Sequence, residues 1–585
     1  MRNFFKIFFA SLLALIVFGV ISIIVMLAMI GKALAPEKVV IDPNSVLVLE
    51  TSQPYGEQKT NNPIGALLQR DASETPGLYD AVRMIEHAAK DDNIKGIYLK
   101  TDGNPNGFAT SEELRNALLQ FRKSGKFVYA YGEGMSQQAY YLASTANKIF
   151  LHPQGGVDFQ GFSTTIMFLK GTLEKLEIQP QIFYDGRFKS ATEPFRETQM
   201  TEANRIQTRA YLSDLYGHYL ANIGKSRNLD TATLYRYANE GLIQNAHDAV
   251  NLKLVDGLRY DDQVMDELRK QLNLEKGDDI NFVSLTKYES GADYKSTSGD
   301  SKIAVLYAQG SIVSKSGNED VIIASEDYIK EIRKLREDKS IKAIVFRVNS
   351  PGGSALASES IWRELELAKK AKPVVVSMGD YAASGGYYIS CMADTIFAQP
   401  NTLTGSIGVF AMMANLQNFF KNKLGVTFDG VKTAQYADLG SATRPMTETE
   451  RQFIQKAIDS IYSTFKSRVI AGRKLQAAVV DSIAQGRVWS GVQAKQLGLV
   501  DRIGGLNEAV ACAAKMAKVS SYRLREYPEV KEPLEKLMKT FGSDASASYV
   551  KKELGANYSI YQQIKRLQEM EGEIQARLPF DLLIK

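Results

Sequence analysis

The chain repeats itself. Ile94–Ile97, IKGI, returns as Ile341–Ile344, IKAI, at an offset of 247. The same offset pairs Ser111-Glu112 with Ser358-Glu359, Tyr140-Tyr141 with Tyr387-Tyr388, Ile149-Phe150 with Ile396-Phe397, and Pro153 with Pro400. Further on it slips by two, and Leu254-Val255-Asp256 meets Leu499-Val500-Asp501. Register kept over such a distance marks an internal duplication. The chain is therefore expected to hold a first copy over 45–287 and a second over 302–525. Between them 288–301, YESGADYKSTSGDS, has the composition of a linker. Residues 526–585 read as a charged, helical extension.

Each copy alternates strands with helices. In the second, IAVLYAQ (303–309), KAIVFRV (342–348) and PVVVSMG (373–379) are short apolar runs of strand type. SEDYIKEIRKLRED (325–338) and ASESIWRELELAKKA (357–371) carry helical periodicity. This order predicts an α/β fold with mostly parallel sheets and helical crossovers.

Composition narrows the function. Against 71 basic residues stand 66 acidic ones, for a formal net charge of +5, and no basic stripe forms. Nucleic acid is set aside as a partner. Two cysteines, Cys391 and Cys512, lack any CxxC spacing, and the four histidines are scattered, so no metal site or cofactor is expected. Both cysteines read as small hydrophobes.

Ile7–Ile30 is 24 residues without a charge. As a helix it would be about 36 Å long, enough to span a bilayer with some tilt. A cleaved leader has a shorter apolar region of about 7–15 residues. The expectation is an uncleaved membrane anchor within residues 1–31. Arg2 and Lys6 precede it and Lys32 alone follows closely, which places the short N-terminus in the cytoplasm and the body outside. A cleaved leader would export the body as well.

The chemistry centres on GDYAASGGYYIS, residues 379–390, where Ser384 stands among alanines and glycines. NSPGGS (349–354) follows the preceding strand. In a parallel α/β sheet both segments leave the carboxyl ends of strands, where such folds place their sites. Gly352 and Gly353 can present backbone N–H groups unobstructed, and Gly385 lies one residue past the serine. Donors converging beside a hydroxyl form an oxyanion hole, each worth about 2.7–4 kcal/mol of barrier. The competing reading makes Ser384 a helix cap packed under a strand. No histidine occurs after His247, so a Ser-His-Asp triad within the second copy is excluded and lysine is the remaining common base. Composition does not single out which lysine.

NSPGGS, AASGGYYIS (382–390) and TLTGSIGVF (402–410), in that order and spacing, resemble the signal peptide peptidase A family, the protease IV group. The resemblance runs from the anchor to about residue 525, and the duplicated length matches the family's long form. It implies two tandem ClpP/crotonase-like domains behind a transmembrane helix and a Ser-Lys dyad. It assigns the nucleophile to Ser384, the general base to Lys189 in GRFKSATEPF (186–195), and the orientation of that lysine to Ser406. It further implies peptide substrates such as signal peptide remnants, a homotetramer, and a catalytic body on the periplasmic side of a bacterial inner membrane.

The repeat gives an independent check on that assignment. At offset 247, Ser384 corresponds to Gln137, Lys189 to Tyr436, Ser406 to Phe159, and Pro351-Gly352-Gly353 to Asn104-Pro105-Asn106. Each copy lacks what the other keeps, as one site split between two copies requires. Lys189 must be neutral to accept a proton, and Phe188 with Ile182-Phe183-Tyr184 suggests the desolvation that favours this. Ala382 and Ala383 suggest a pocket for modest apolar side chains. Two other functions fit the fold: an acyl-CoA enzyme of crotonase type, and a non-catalytic membrane scaffold.

Overall fold

The computed structural model describes residues 4, 7–19, 21–22, 40–61, 74–295, 299–316, 321–529 and 574–578. The first copy builds a parallel sheet in the order Gly257–Leu258, Lys148–Val157, Phe127–Met135, Ile94–Lys100, Ser45–Glu50, Phe282–Ser284. The second builds a larger one in the order Val488–Ser490, Leu403–Gly405, Val374–Ala383, Ile341–Ser350, Lys302–Gln309, Arg523–Tyr527. Only the pairing of Leu403–Gly405 with Val488–Ser490 is antiparallel along that path.

The strands of the second sheet are buried on both faces, so they read as continuous apolar runs. Ala304, Leu306, Ile344 and Phe346 face one way, toward Ile332 and Leu335 of helix Ser325–Glu337 and Ile361 and Leu365 of helix Ala355–Ala371. Their alternates Ile303, Val305, Ala343 and Val345 face Leu506, Ala509, Val510 and Ala513 of helix Leu506–Met516. Each fully buried aliphatic side chain contributes about 1.5–3 kcal/mol. The two-residue period of a strand assigns each to its layer.

The two copies meet over a buried ion network. Arg347 of the second is fully buried, and its guanidinium lies 2.8 Å from Glu57 and 2.8 Å from Glu113 of the first. Nearby, helix Phe108–Arg122 begins at Gly107, which has no side chain to cap it. Asp380 of the second copy supplies the cap, accepting from the N–H groups of Ala109 at 2.8 Å and Thr110 at 3.0 Å. A Cβ on Gly107 would lie 2.2 Å from that carboxylate, so the glycine is what admits it.

A third sheet draws on both copies. Its order is Ile322–Ala324, Ser311–Val313, Gly352–Ser354, Gln575–Arg577, Val409–Asn415, Gln179–Asp185. Three expectations look different here. The segment expected as a linker begins inside helix Leu285–Gly291, where Tyr288 is fully buried and its hydroxyl donates to Asp91 at 2.9 Å. An aromatic anchor outweighs the polar composition around it. The described part of the C-terminal extension is a strand rather than a helix, because Ile574, Ala576 and Leu578 alternate inward between two waiting edges. Of the expected anchor, residues 7–19 and 21–22 are helical, and the remainder of Ile7–Ile30 lies outside the described residues. Among the described residues no helix is long and apolar enough to cross a membrane.

Candidate active site

Strand Val374–Ala383 delivers Ser384 at its carboxyl end, and helix Gly385–Ser390 leaves from it. The turn between them is sharp. Ser384 has φ 54° and ψ −112°, a conformation costing about 1–3 kcal/mol in a residue with a Cβ. Two backbone bonds hold it there: Ser384 N–H donates to Gly405 at 2.8 Å, and Tyr388 N–H donates to the Ser384 carbonyl at 2.8 Å.

Lys189 arrives from the first copy. Strand Gln179–Asp185 pairs with Val409–Asn415 of the second copy over seven residues, so the chain beyond it is laid beside the serine. Gly186 (φ 112°) turns it inward, and a Cβ there would lie 2.6 Å from the Gln485 backbone. Phe188 N–H then donates to the Gln485 carbonyl at 2.7 Å. Gln207 clamps the turn, its amide donating to the Phe188 carbonyl at 3.1 Å and to Ser190 Oγ at 3.0 Å while accepting from Val488 N–H at 3.2 Å. Gln207 and Gln485 were not singled out from sequence; neither lies in a motif, and no local signal marks them.

The result is a buried cluster of three side chains. Lys189 Nζ donates to Ser384 Oγ at 2.8 Å and to Ser406 Oγ at 3.1 Å, with the Ser406 carbonyl at 3.3 Å. Lys189 is 1% exposed; Ser384 and Ser406 are 0% exposed. Burial pushes the lysine well below its ordinary pKa, with no carboxylate nearby to oppose the shift. An amine neutral in this setting has a lone pair at hydrogen-bond distance from a serine hydroxyl. Ser384 Oγ in turn reaches the Gly408 carbonyl at 3.3 Å.

The three glycines expected as oxyanion donors also gather here, with different roles. Gly352 N–H donates to Ser350 Oγ at 3.1 Å and is already satisfied. What Gly352 supplies is space: a Cβ on it would lie 2.8 Å from the Gly385 nitrogen. Gly353, at φ 157°, and Gly385, first residue of the helix, carry the donors turned toward the cleft.

The first copy's matching positions are filled. Gln137 accepts from the N–H groups of Gln160 at 3.0 Å and Gly161 at 2.9 Å, closing its own loop where Ser384 would stand. Phe159, matching Ser406, is buried against Tyr140 and Tyr219. Tyr436, matching Lys189, lies at the surface beside Phe453.

Comparison with known proteins agrees with this arrangement. Peptidase family S49 matches twice, over residues 120–275 and 366–520, and Clp protease matches over 295–404. Protease 4 of Salmonella typhi is 39% identical over 82% of this chain and 79% of its own length. Protease 4 of Haemophilus influenzae is 37% identical, over 75% of this chain and 72% of its own. A chloroplastic serine protease SPPA of Arabidopsis thaliana is 34% identical, over 74% of this chain and 64% of its own.

Proposed function

This chain belongs to peptidase family S49 and is a serine protease, and on that footing we propose an endopeptidase that works with a Ser384–Lys189 dyad. What carries the reading is the 2.8 Å contact between Ser384 Oγ and a buried lysine whose pKa is depressed by burial. Ser384 attacks the peptide carbonyl as Lys189 takes its proton. The Gly353 and Gly385 N–H groups face the developing oxyanion. Lys189 passes the proton to the leaving amine and then draws one from the water that hydrolyses the acyl-enzyme. Ser406 holds the amine toward Ser384 throughout. The two S49 matches favour this reading over an acyl-CoA enzyme, and the gathered Ser384, Lys189 and Ser406 favour it over an inert scaffold.

The proposal extends to setting and substrate. The uncharged segment Ile7–Ile30 anchors the chain in the inner membrane with its body on the periplasmic side. Substrates are signal peptide remnants and other short or unfolded chains, the class suggested by relatives named signal peptide peptidase. Leu424, Phe428 and Val431 are exposed and give a homotetramer an apolar surface to cover. The test is hydrolysis of a synthetic signal peptide by full-length protein in detergent. Turnover by wild type and none by Ser384→Ala supports the reading; equal turnover by both defeats it. Recovery of the protein in the soluble fraction with its N-terminus intact would defeat the anchor alone.

A further inference from the structure

The third sheet contains a strand from the far end of the chain. Gln575–Arg577 stands between Gly352–Ser354 and Val409–Asn415, antiparallel to both. Those two neighbours flank the nucleophile, so this strand lies in the cleft a substrate would enter. It pairs Gly353 with Ala576, and it is flanked by two outer bonds. Leu578 N–H donates to the Pro351 carbonyl at 2.7 Å, and Ala355 N–H donates to the Ile574 carbonyl at 3.0 Å. Bonded pairs recur every second residue in an antiparallel ladder, so Gly353 and Ala576 share the bonded phase. The glycines locate the Ala576 carbonyl oxygen independently. It lies 2.1 Å from where a Cβ on Gly352 would be and 3.0 Å from where one on Gly385 would be. That is the oxyanion position beside Ser384.

The side chains are seated as well. Ala576 is 0% exposed, in a slot with room for little more than a methyl group. Leu578 packs with Tyr211, Leu215, Ala383 and Val488, and Ile574 packs against the core of the second copy. Alternate residues thus occupy three successive sites along the cleft.

We infer that Ile574–Leu578 is bound as a substrate and that the enzyme cuts its own chain between Ala576 and Arg577. The inference rests on the Ser384–Lys189 reading. Ser384 Oγ bonds to the Ala576 carbonyl carbon while its proton passes to Lys189 Nζ. The Ala576–Arg577 C–N bond then breaks, and the Arg577 nitrogen takes that proton and leaves with the peptide Arg577–Lys585. Water supplies a proton to Lys189 and hydroxide to the ester, which leaves Ala576 as a free C-terminus and restores Ser384.

Mass spectrometry of the intact purified chain tests this, with hydrolysis of an unstructured fluorogenic peptide measured in parallel. Wild type is expected to end at Ala576, short by the nine residues Arg577–Lys585, while Ser384→Ala and Lys189→Met keep Lys585. Ala576→Trp, too large for its slot, is expected to keep Lys585 too. Wild type that hydrolyses the peptide yet keeps Lys585 overturns self-cleavage and leaves the dyad standing. Loss of the tail in Ser384→Ala, or cleavage at another bond, overturns it as well. Peptide hydrolysis by Ser384→Ala at the wild-type rate overturns the dyad and self-cleavage together.

Discussion

Lys189 Nζ lies 2.8 Å from Ser384 Oγ although the two residues belong to different copies of a duplicated fold. Neither copy holds both. The strand pairing of Gln179–Asp185 with Val409–Asn415 fixes that distance, because it stitches the first copy to the second immediately before the lysine.

Ser384→Ala is expected to lower peptide hydrolysis to background with the fold unchanged. Gln137→Ala, at the matching position of the first copy, should alter activity less than about twofold, because its amide only closes a loop on Gln160 and Gly161. Steady-state kinetics on one peptide compares them. A loss with Gln137→Ala as deep as that of Ser384→Ala would mean that both copies react.

Lys189 should make stability depend on pH in a predictable direction. The unfolded chain carries it protonated up to about pH 10.4. The folded chain holds it neutral from well below that value, because burial disfavours the charge. The unfolded state therefore binds more protons in this window, and stability rises with pH until about 10.4. Lys189→Met lacks this dependence. Urea midpoints should show Lys189→Met more stable than wild type near neutral pH, with the gap closing toward about pH 10. A gap of constant size across that range would mean that the lysine is charged in the folded protein.

Much of this was legible in sequence because it is local. Apolar runs and helical periodicity located strands and helices of the second sheet to within a few residues, and the repeat paired the two copies. The small residues around Ser384 and the glycines of NSPGGS marked a close approach of backbone. The lysine was not legible that way. Its neutrality comes from burial among residues far apart in the chain, and its position from Gln207 and Gln485, so only the resemblance pointed to it. The strand at Gln575–Arg577 was hidden for the same reason, since its pairing edges lie in distant segments. Buried Arg347 gave no sign of its role, because an arginine in an apolar run needs its carboxylates identified before it means anything.

Arg347→Met should loosen the seam between copies. It would leave Glu57 and Glu113 buried without their guanidinium, a loss of about 3–5 kcal/mol. Activity should fall with stability, and adding Glu57→Gln and Glu113→Gln should recover part of both. Denaturant midpoints of the single and triple variants decide it; a single variant as stable as wild type would remove the network from the account.

Gly352→Ala should leave the protein folded and nearly inactive. Its φ of 102° disfavours a Cβ by about 1–3 kcal/mol, and that Cβ would stand 2.1 Å from the carbonyl oxygen seated in the cleft. A drop of more than about 100-fold in kcat/KM is expected, as for losing an oxyanion contact outright. Hydrolysis within a few-fold of wild type would show that substrate carbonyls bind elsewhere.

The most direct test of the dyad is the rate at which a fluorophosphonate labels Ser384 across pH, in wild type and in Lys189→Met, with the labelled peptide identified by mass spectrometry. Wild type should label faster as pH rises through a single ionisation lying below about 10.4, the ordinary lysine value. Lys189→Met should label slowly at every pH, without that limb. Equal labelling of Ser384 in the two proteins, with the same pH dependence, would contradict the assignment of Lys189 as its base.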